Sequence, residues 1–481
     1  MMQASSSRTV LSRAACSSRV VVVAAPRSRT LATTTTTTTT TTTHPVVGTS
    51  HSHKVVIVGA GAAGASVSHQ LLRSGRYARG DIAVVDPAPW HHYQPGWTLV
   101  GGGLARKQDL RLRTADVLDP ELTLYDEAVR GFQPAESTVT LAATGQTLRY
   151  EQLVVCPGIH IDYASIKGLP EALADPGAPV STVYGYEGAD KVFGTVEGLK
   201  KGRALFTQPK GLIKCAGAPQ KVMWLALDHW KRAGRYRPGL SGDGDEGEGV
   251  GVTFATAAPA MFGVPKYSAA LEALRVARGV EGLFGHDLVE VDGDVAVFAR
   301  EAADGGTSTT IRRRFDLLHA VPKMGPHAFV ARSPLADAAT GLVDVDAATL
   351  RHKKHGNVWA LGDAAGLPTA KTAAAVTAQA PVLVANLLAV AEQGRKEERE
   401  EGPLPATYDG YTSCPLTTEY GKVLLAEFKY GGEPKETFAR LGVDQAVPNR
   451  LFYHLKKDFF PWVYKKHMIK GTWGGPKGFL R

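Results

Sequence analysis

The sequence predicts an α/β protein of two Rossmann-like domains, followed by a C-terminal segment of different character. Three observations predict it. An apolar run ends in Gly59-Ala60-Gly61-Ala62-Ala63-Gly64, a second strand-like run ends in Gly362-Asp363 about three hundred residues later, and residues 451–481 interleave eight aromatics with seven basic side chains. At 481 residues, 44% hydrophobic and 21% charged, the chain can bury a sizeable core.

Val55–Val58 is continuous, apolar and β-branched, as expected of a parallel strand covered on both faces, and a helical stretch to Arg73 follows the glycines. In this context Gly59 permits the tight turn, Gly61 lets backbone approach a pyrophosphate, and Gly64 allows close packing of helix on strand. Ala62 and Ala63 offer their amides at the helix N-terminus. The next strand, Ile82–Val85, ends in Asp86, twenty-two residues after Gly64, where a carboxylate can accept ribose hydroxyls. Strand, glycines, helix, strand and acid in register predict a bound dinucleotide.

The second strand-end acid, Asp363, could be a helix N-cap. With the first fingerprint present it instead resembles the late motif of two-dinucleotide-domain flavoproteins, in which that acid holds the ribityl chain of FAD. Lys371 and the following Ala-rich helix then place positive charge where an anionic reduced flavin is stabilised. Tyr150–Gly158 reads as a strand closing the first half of the FAD domain, and Val129, on the strand-like Glu127–Phe132, is expected to meet the adenine through its backbone. Cys156 in that strand reads as a small buried residue rather than a catalytic one.

In the middle segment a pyridine-nucleotide enzyme needs a second glycine fingerprint. Here Arg203–Thr207 leads instead to Lys214-Cys215-Ala216-Gly217-Ala218-Pro219 and a helix from about Val222 to Arg235. Ser241–Gly249 is an acidic Gly loop with no strand before it and reads as a solvated insertion. Cys215 at a strand-to-helix turn, near Lys214 and Lys221 in sequence, is placed to favour thiolate. Cys414 lies far downstream, and sequence cannot show that the two meet. Four cysteines with no CxxC or Cys/His spacing exclude a disulfide scaffold and predict no metal site.

The net charge of +9 is uneven. Residues 1–50 hold five Arg and no acid, and 451–481 hold seven basic residues against Asp458, so the body between them is close to neutral and gives no reason to expect nucleic-acid binding. The acid-free N-terminus reads as a mitochondrial transit peptide, with a plastid address or a plain disordered tail as alternatives, and Thr33–Thr43 as a low-complexity spacer. No apolar stretch of about 18 residues is seen, so no spanning helix is expected. The aromatic and basic tail is expected to lie on a membrane surface, with packing onto the FAD domain as the alternative. Arg395–Glu401 reads as a charged linker.

Taken together, His91-His-Tyr-Gln-Pro-Gly-Trp, Ile213-Lys-Cys-Ala-Gly-Ala-Pro-Gln-Lys, Gly362-Asp with Pro368-Thr-Ala-Lys-Thr, and Tyr408-Asp-Gly-Tyr-Thr-Ser-Cys-Pro-Leu resemble sulfide:quinone oxidoreductases of mitochondrial type, a disulfide-reductase-like flavoprotein family. The resemblance implies a monotopic enzyme of the mitochondrial inner membrane that oxidises hydrogen sulfide through Cys215 and Cys414 and FAD. It also implies reduction of quinone, with ubiquinone expected, and transfer of sulfane sulfur to glutathione, sulfite or cyanide. Gln94 joins Ala62, Ala63, Asp86, Val129, Asp363 and Lys371 at FAD by the same resemblance. Relatives often carry Glu where Asp86 stands, which shortens the reach to ribose. Cys156 is not matched to the third redox cysteine of many bacterial members. Cys215, in the more electropositive setting, is the expected persulfide carrier. The expected organisation is 1–50 transit peptide and spacer, 51–165 and 326–402 the two parts of the FAD domain, 166–325 a degenerate second Rossmann-like domain on the sulfide side, and 403–481 the second cysteine and the membrane contact. An NAD(P)H-dependent quinone or disulfide reductase and a non-catalytic flavin-binding protein are the alternatives.

Overall fold

The structure is a computed structural model that describes residues 52–240, 248–300, 309–393 and 403–480. The expected transit peptide, most of the Ser241–Gly249 insertion and the Arg395–Glu401 linker lie outside the described residues.

The first sheet runs in the order Thr123–Tyr125, Ile82–Val85, Ser52–Val58, Thr147–Val155, Thr138–Leu141, Val129–Gln133. Val55, Val56, Ile57 and the whole of Ile82–Val85 are buried, as a strand covered on both faces requires. Thr147–Val155 is shared along its length. Arg149 pairs antiparallel with Thr138, whereas Leu153–Val155 pair in parallel with Val358–Ala360. Trp359 fixes that return, its Nε1 donating to Gln152 Oε1 at 2.8 Å. The chain thus leaves the first sheet after residue 155 and re-enters it at 358.

Between these visits lies a second sheet, all parallel, in the order Val180–Ser181, Leu317–His319, Gly202–Gln208, Val250–Thr256, Glu281–Phe284. The two sheets use one plan. In the first, strand Ser52–Val58 turns through the glycines into helix Ala62–Arg73; in the second, strand Gly202–Gln208 turns through the Cys215 loop into helix Ala218–Arg232. Cys215 therefore occupies the loop position that the first sheet gives to Gly59–Gly64.

A hairpin of Thr412–Glu419 and Lys422–Phe428 packs against helix Ala218–Arg232 and carries Cys414 opposite Ala426. Residues 450–466 continue as helix, with a π turn at Leu455–Phe459. Phe452, fully buried, packs on Val423 and Leu425 of the hairpin. The chain then docks on the first domain: Ser66 Oγ donates to the Met468 carbonyl at 3.0 Å, and the ammonium groups of Lys465 and Lys470 donate to the carbonyls of Asp109 and Val117. Of the eight tail aromatics, Phe452 and Tyr464 are core, while Trp462 and Phe479 are 47% and 56% exposed. Some of the tail's rings thus pack onto the body of the protein and some face outward.

The expectation that no helix could span a membrane needs correction. Ala373–Gln393 is 21 residues long, with a mean hydropathy of 1.8 over its most apolar 18-residue window, which by length and composition is enough. The sequence reading missed it because Thr377, Gln379 and Asn386 interrupt the apolar run. Those polar groups are used inside the protein: Gln379 Oε1 accepts from the Gly362 amide at 2.8 Å, and Asn386 bonds both the amide and the carbonyl of Ala406. With over half of that window buried and helix Ala62–Arg73 packed against it, the helix belongs to the core around the first sheet.

Candidate active site

Two glycines of the loop are closely packed and the third is open. Gly59 holds φ +106°, and a Cβ there would stand 2.5 Å from the Cys156 carbonyl oxygen; at Gly64 a Cβ would stand 1.8 Å from the Gly59 oxygen. At Gly61 a Cβ would meet no heavy atom within 4 Å, so this side of the loop is open for a phosphate. Ala62 and Ala63 begin the helix. Cys156 lies beneath the loop, its amide donating to the Val58 carbonyl, and burial pushes its thiol well above the usual range, as suits a packing residue.

Asp86 accepts from the amides of Ala60 at 2.6 Å and Ala88 at 2.8 Å, and burial holds its carboxyl above the usual range. Asp363 is likewise pushed up by burial, against the opposing charges of Lys214 and Lys371. Lys371 donates to the Ala365 carbonyl at 2.6 Å, and burial lowers its ammonium to about 8. Gln94 is exposed and accepts from Lys214 Nζ at 3.4 Å. Val129 begins the outermost strand, three strands from the glycine loop. An open loop with a carboxylate after each of two strands of the same sheet fits FAD.

The structure brings Cys215 and Cys414, 199 positions apart, to an Sγ–Sγ distance of 3.3 Å, both as free thiols. Cys215 is held at φ +51°, a left-handed conformation rare for a side chain with a Cβ and frequent where function requires it. Its amide donates to the Lys371 carbonyl at 2.8 Å, and its own carbonyl caps the helix by accepting from the Ala218 amide. Tyr184 adds a hydrogen bond to the Lys214 carbonyl. Gly217 makes room for the partner, since a Cβ there would stand 2.5 Å from Cys414 Sγ.

Lys221 Nζ donates to Cys215 Sγ at 3.2 Å, although Lys221 is only 4% exposed. The hydrogen bond from Cys414 and then the Lys221 charge hold the Cys215 thiol well below its usual range, against burial. Cys414 moves the other way, because it keeps the shared proton and is buried. Sequence reasoning named Lys214 and Lys221 as neighbours without separating them. In the structure only Lys221 has a hydrogen bond to the sulfur, while Lys214 reaches toward Gln94 and Asp363. Sequence reasoning missed Tyr184 and Lys456, a buried lysine of the tail whose charge acts on both thiols. Their involvement depends on tertiary contact alone and leaves no spacing signal.

The family described as pyridine nucleotide-disulphide oxidoreductase matches residues 53–202. A mitochondrial sulfide:quinone oxidoreductase of Schizosaccharomyces pombe is 44% identical over 452 residues, covering 90% of this chain and 93% of that protein. Its counterpart in Dictyostelium discoideum is 41% identical, covering 88% and 87%. The crystal structure of the sulfide:quinone oxidoreductase of Aquifex aeolicus shares the fold, with a TM-score of 0.65 at 14% identity over 86% of this chain and 91% of that one. Two Rossmann-like sheets, one with a dinucleotide loop and the other with a thiol in the same place, define a flavin-dependent dithiol oxidoreductase. The chain belongs to the mitochondrial sulfide:quinone oxidoreductase family.

Proposed function

We propose that the protein oxidises hydrogen sulfide at the Cys215–Cys414 pair and passes two electrons to quinone, giving the sulfane sulfur to an acceptor such as glutathione, sulfite or cyanide. The observation that carries this reading is the pair itself. Two thiols stand 3.3 Å apart, one is paired with a buried lysine, and that one is bonded through its backbone to the segment that follows Asp363. Gly59, Gly61, Gly64, Ala62, Ala63, Asp86, Gln94, Val129, Asp363 and Lys371 are the residues that would hold FAD. When bound, FAD supplies the two-electron relay between the thiol pair and quinone.

The working cycle starts with the two sulfurs joined. Hydrosulfide attacks one sulfur, the S–S bond breaks, and the products are a persulfide on the attacked cysteine and a thiolate on the other. A thiol with a low pKa leaves faster, so Cys215, held low by Cys414 and Lys221, is the leaving thiolate and Cys414 carries the persulfide. This reverses the sequence expectation, because the same electropositive setting that suggested storage at Cys215 favours release there. The backbone bond to Lys371 also keeps Cys215 at the FAD side of the pair. The acceptor then takes the outer sulfur of Cys414, and loss of two electrons from the two sulfurs rejoins them.

The exposed Trp462 and Phe479, with Lys457, Lys466 and Lys477 in the same segment, support peripheral attachment to an anionic surface, which with the mitochondrial relatives we assign to the inner membrane. A nicotinamide-driven reductase is disfavoured by Cys215 and Pro219 standing where a second phosphate loop belongs. Anaerobic stopped-flow mixing tests the reading: sulfide is expected to bleach the oxidised flavin rapidly, with NADH and NADPH slow. Fast bleaching by a nicotinamide, with none by sulfide, would overturn it.

A further inference from the structure

The sulfur site contains a second lysine that the thiol pair does not use. Lys456 sits in the Leu455–Phe459 π turn, between Phe452, packed on the hairpin that carries Cys414, and Tyr464, whose ring lies 4.7 Å from that of Tyr93. A π turn resets the phase of the helix and often marks a functional site. Here it falls where the side chain must turn inward. Lys456 is 3% exposed, yet no hydrogen bond or ion pair holds its ammonium among the described residues. Its charge attracts Cys215 and Cys414 and repels Lys221.

An ammonium without a partner on so buried a side chain is costly to keep charged, and a bound anion would offset that cost. The first lysine of the site is already committed, its Nζ on Cys215 Sγ. Burial and the Lys221 charge lower Lys456 to about 7, so a bound anion would also help hold its proton. The reactants of a persulfide site, hydrosulfide and sulfite among them, are small sulfur anions.

We propose that Lys456 binds a small sulfur anion beside the Cys215–Cys414 pair, so that the C-terminal segment, besides contacting the membrane, supplies a residue of the sulfur site. This rests on the sulfur reading of the pair.

The test uses the full-length, FAD-loaded enzyme with Lys456→Met and Lys456→Arg. Loss of one charge-assisted contact is expected to raise KM by about tenfold or more with a smaller change in kcat, and Lys456→Arg is expected to recover most of it. A shift in the sulfide KM alone assigns the site to hydrosulfide, a shift in the sulfite KM alone assigns it to the acceptor, and a shift in both assigns it to a shared pocket. Nitrate, an unreactive anion, is expected to compete with sulfite in the unmodified enzyme and not in Lys456→Met. Unchanged KM values and unchanged nitrate inhibition would overturn the proposal. Should Lys456→Met fail to fold, nitrate protection of the reduced, unmodified protein against alkylation at Cys215 decides: protection supports the site and no protection overturns it. Because that protection is read without turnover, it stands apart from sulfide bleaching, whose failure would instead sink the proposed activity.

Discussion

The amide of Cys215 donates to the carbonyl of Lys371 at 2.8 Å, tying the reactive loop of the second sheet to the segment that follows Asp363 in the first. With the Lys214–Lys371 bridge beside it, this bond fixes the two segments to each other through backbone rather than through flexible side chains. The following outcomes are expected from that arrangement.

Cys215→Ser and Cys414→Ser should each keep bound FAD and lose sulfide-dependent quinone reduction by on the order of 10³-fold or more, because one sulfur cannot both store sulfane sulfur and act as the released thiolate. Cys156→Ser, beneath the glycine loop, should cost little activity. Steady-state turnover alongside the flavin spectrum separates the three, and near-normal turnover in either of the first two would rule out the pair.

The three glycines of the loop should behave differently. Gly64→Ala drives a Cβ onto the Gly59 carbonyl oxygen and should destabilise by about 2 kcal/mol or more, read as a lower Tm. Gly61, at φ −67°, accepts a Cβ without strain. Gly61→Ala should therefore leave the Tm of the apoprotein within a few degrees while weakening FAD binding by about tenfold or more, because the methyl stands in the open phosphate space. Normal flavin retention on gel filtration of that variant would contradict the site.

Lys221→Met removes the cation beside Cys215. A thiol held low is a thiolate above its pKa and loses that form as pH falls through it, so removing the lysine should move the midpoint upward. Alkylation of reduced Cys215 at pH 7 is expected to slow by about tenfold or more, with partial recovery in Lys221→Arg. An unchanged pH profile of labelling would leave Lys221 without its assigned role.

Deleting the whole tail would confuse membrane contact with folding, since much of it is packed. Trp462→Ser combined with Phe479→Ser should keep the flavin and weaken co-sedimentation with anionic liposomes by about tenfold or more. Tyr464→Phe, which removes the hydrogen bond to His91 Nε2 at 2.8 Å, should instead lower stability by about 1 kcal/mol and leave liposome binding alone. The reverse pattern would move the membrane face elsewhere.

The first domain was legible in the sequence because its signals are local: Gly59 to Gly64, Asp86 and Asp363 each stand at the end of an apolar run. The second sheet was legible mainly by the missing glycines. The pairing of Cys215 with Cys414 was not, since nothing between them in the chain encodes their meeting, and only resemblance suggested it. Lys456 and Tyr184 were invisible for the same reason. Hydropathy failed at Ala373–Gln393 because Gln379 and Asn386 read as interruptions, although each is a satisfied hydrogen-bonding group in a buried helix.

The bond from Ser66 to Met468 spans 402 positions. A ribosome adding about 5–20 residues per second needs roughly 20–80 s to cover that distance, and throughout it the helix carrying Ser66 lacks the surface that covers it. The parallel strand that completes the sheet, Val358–Ala360, also arrives late. Until residues 358–360 are made, Leu153–Val155 keeps an open strand edge, the kind of exposed pairing surface on which a growing chain is most prone to mispair.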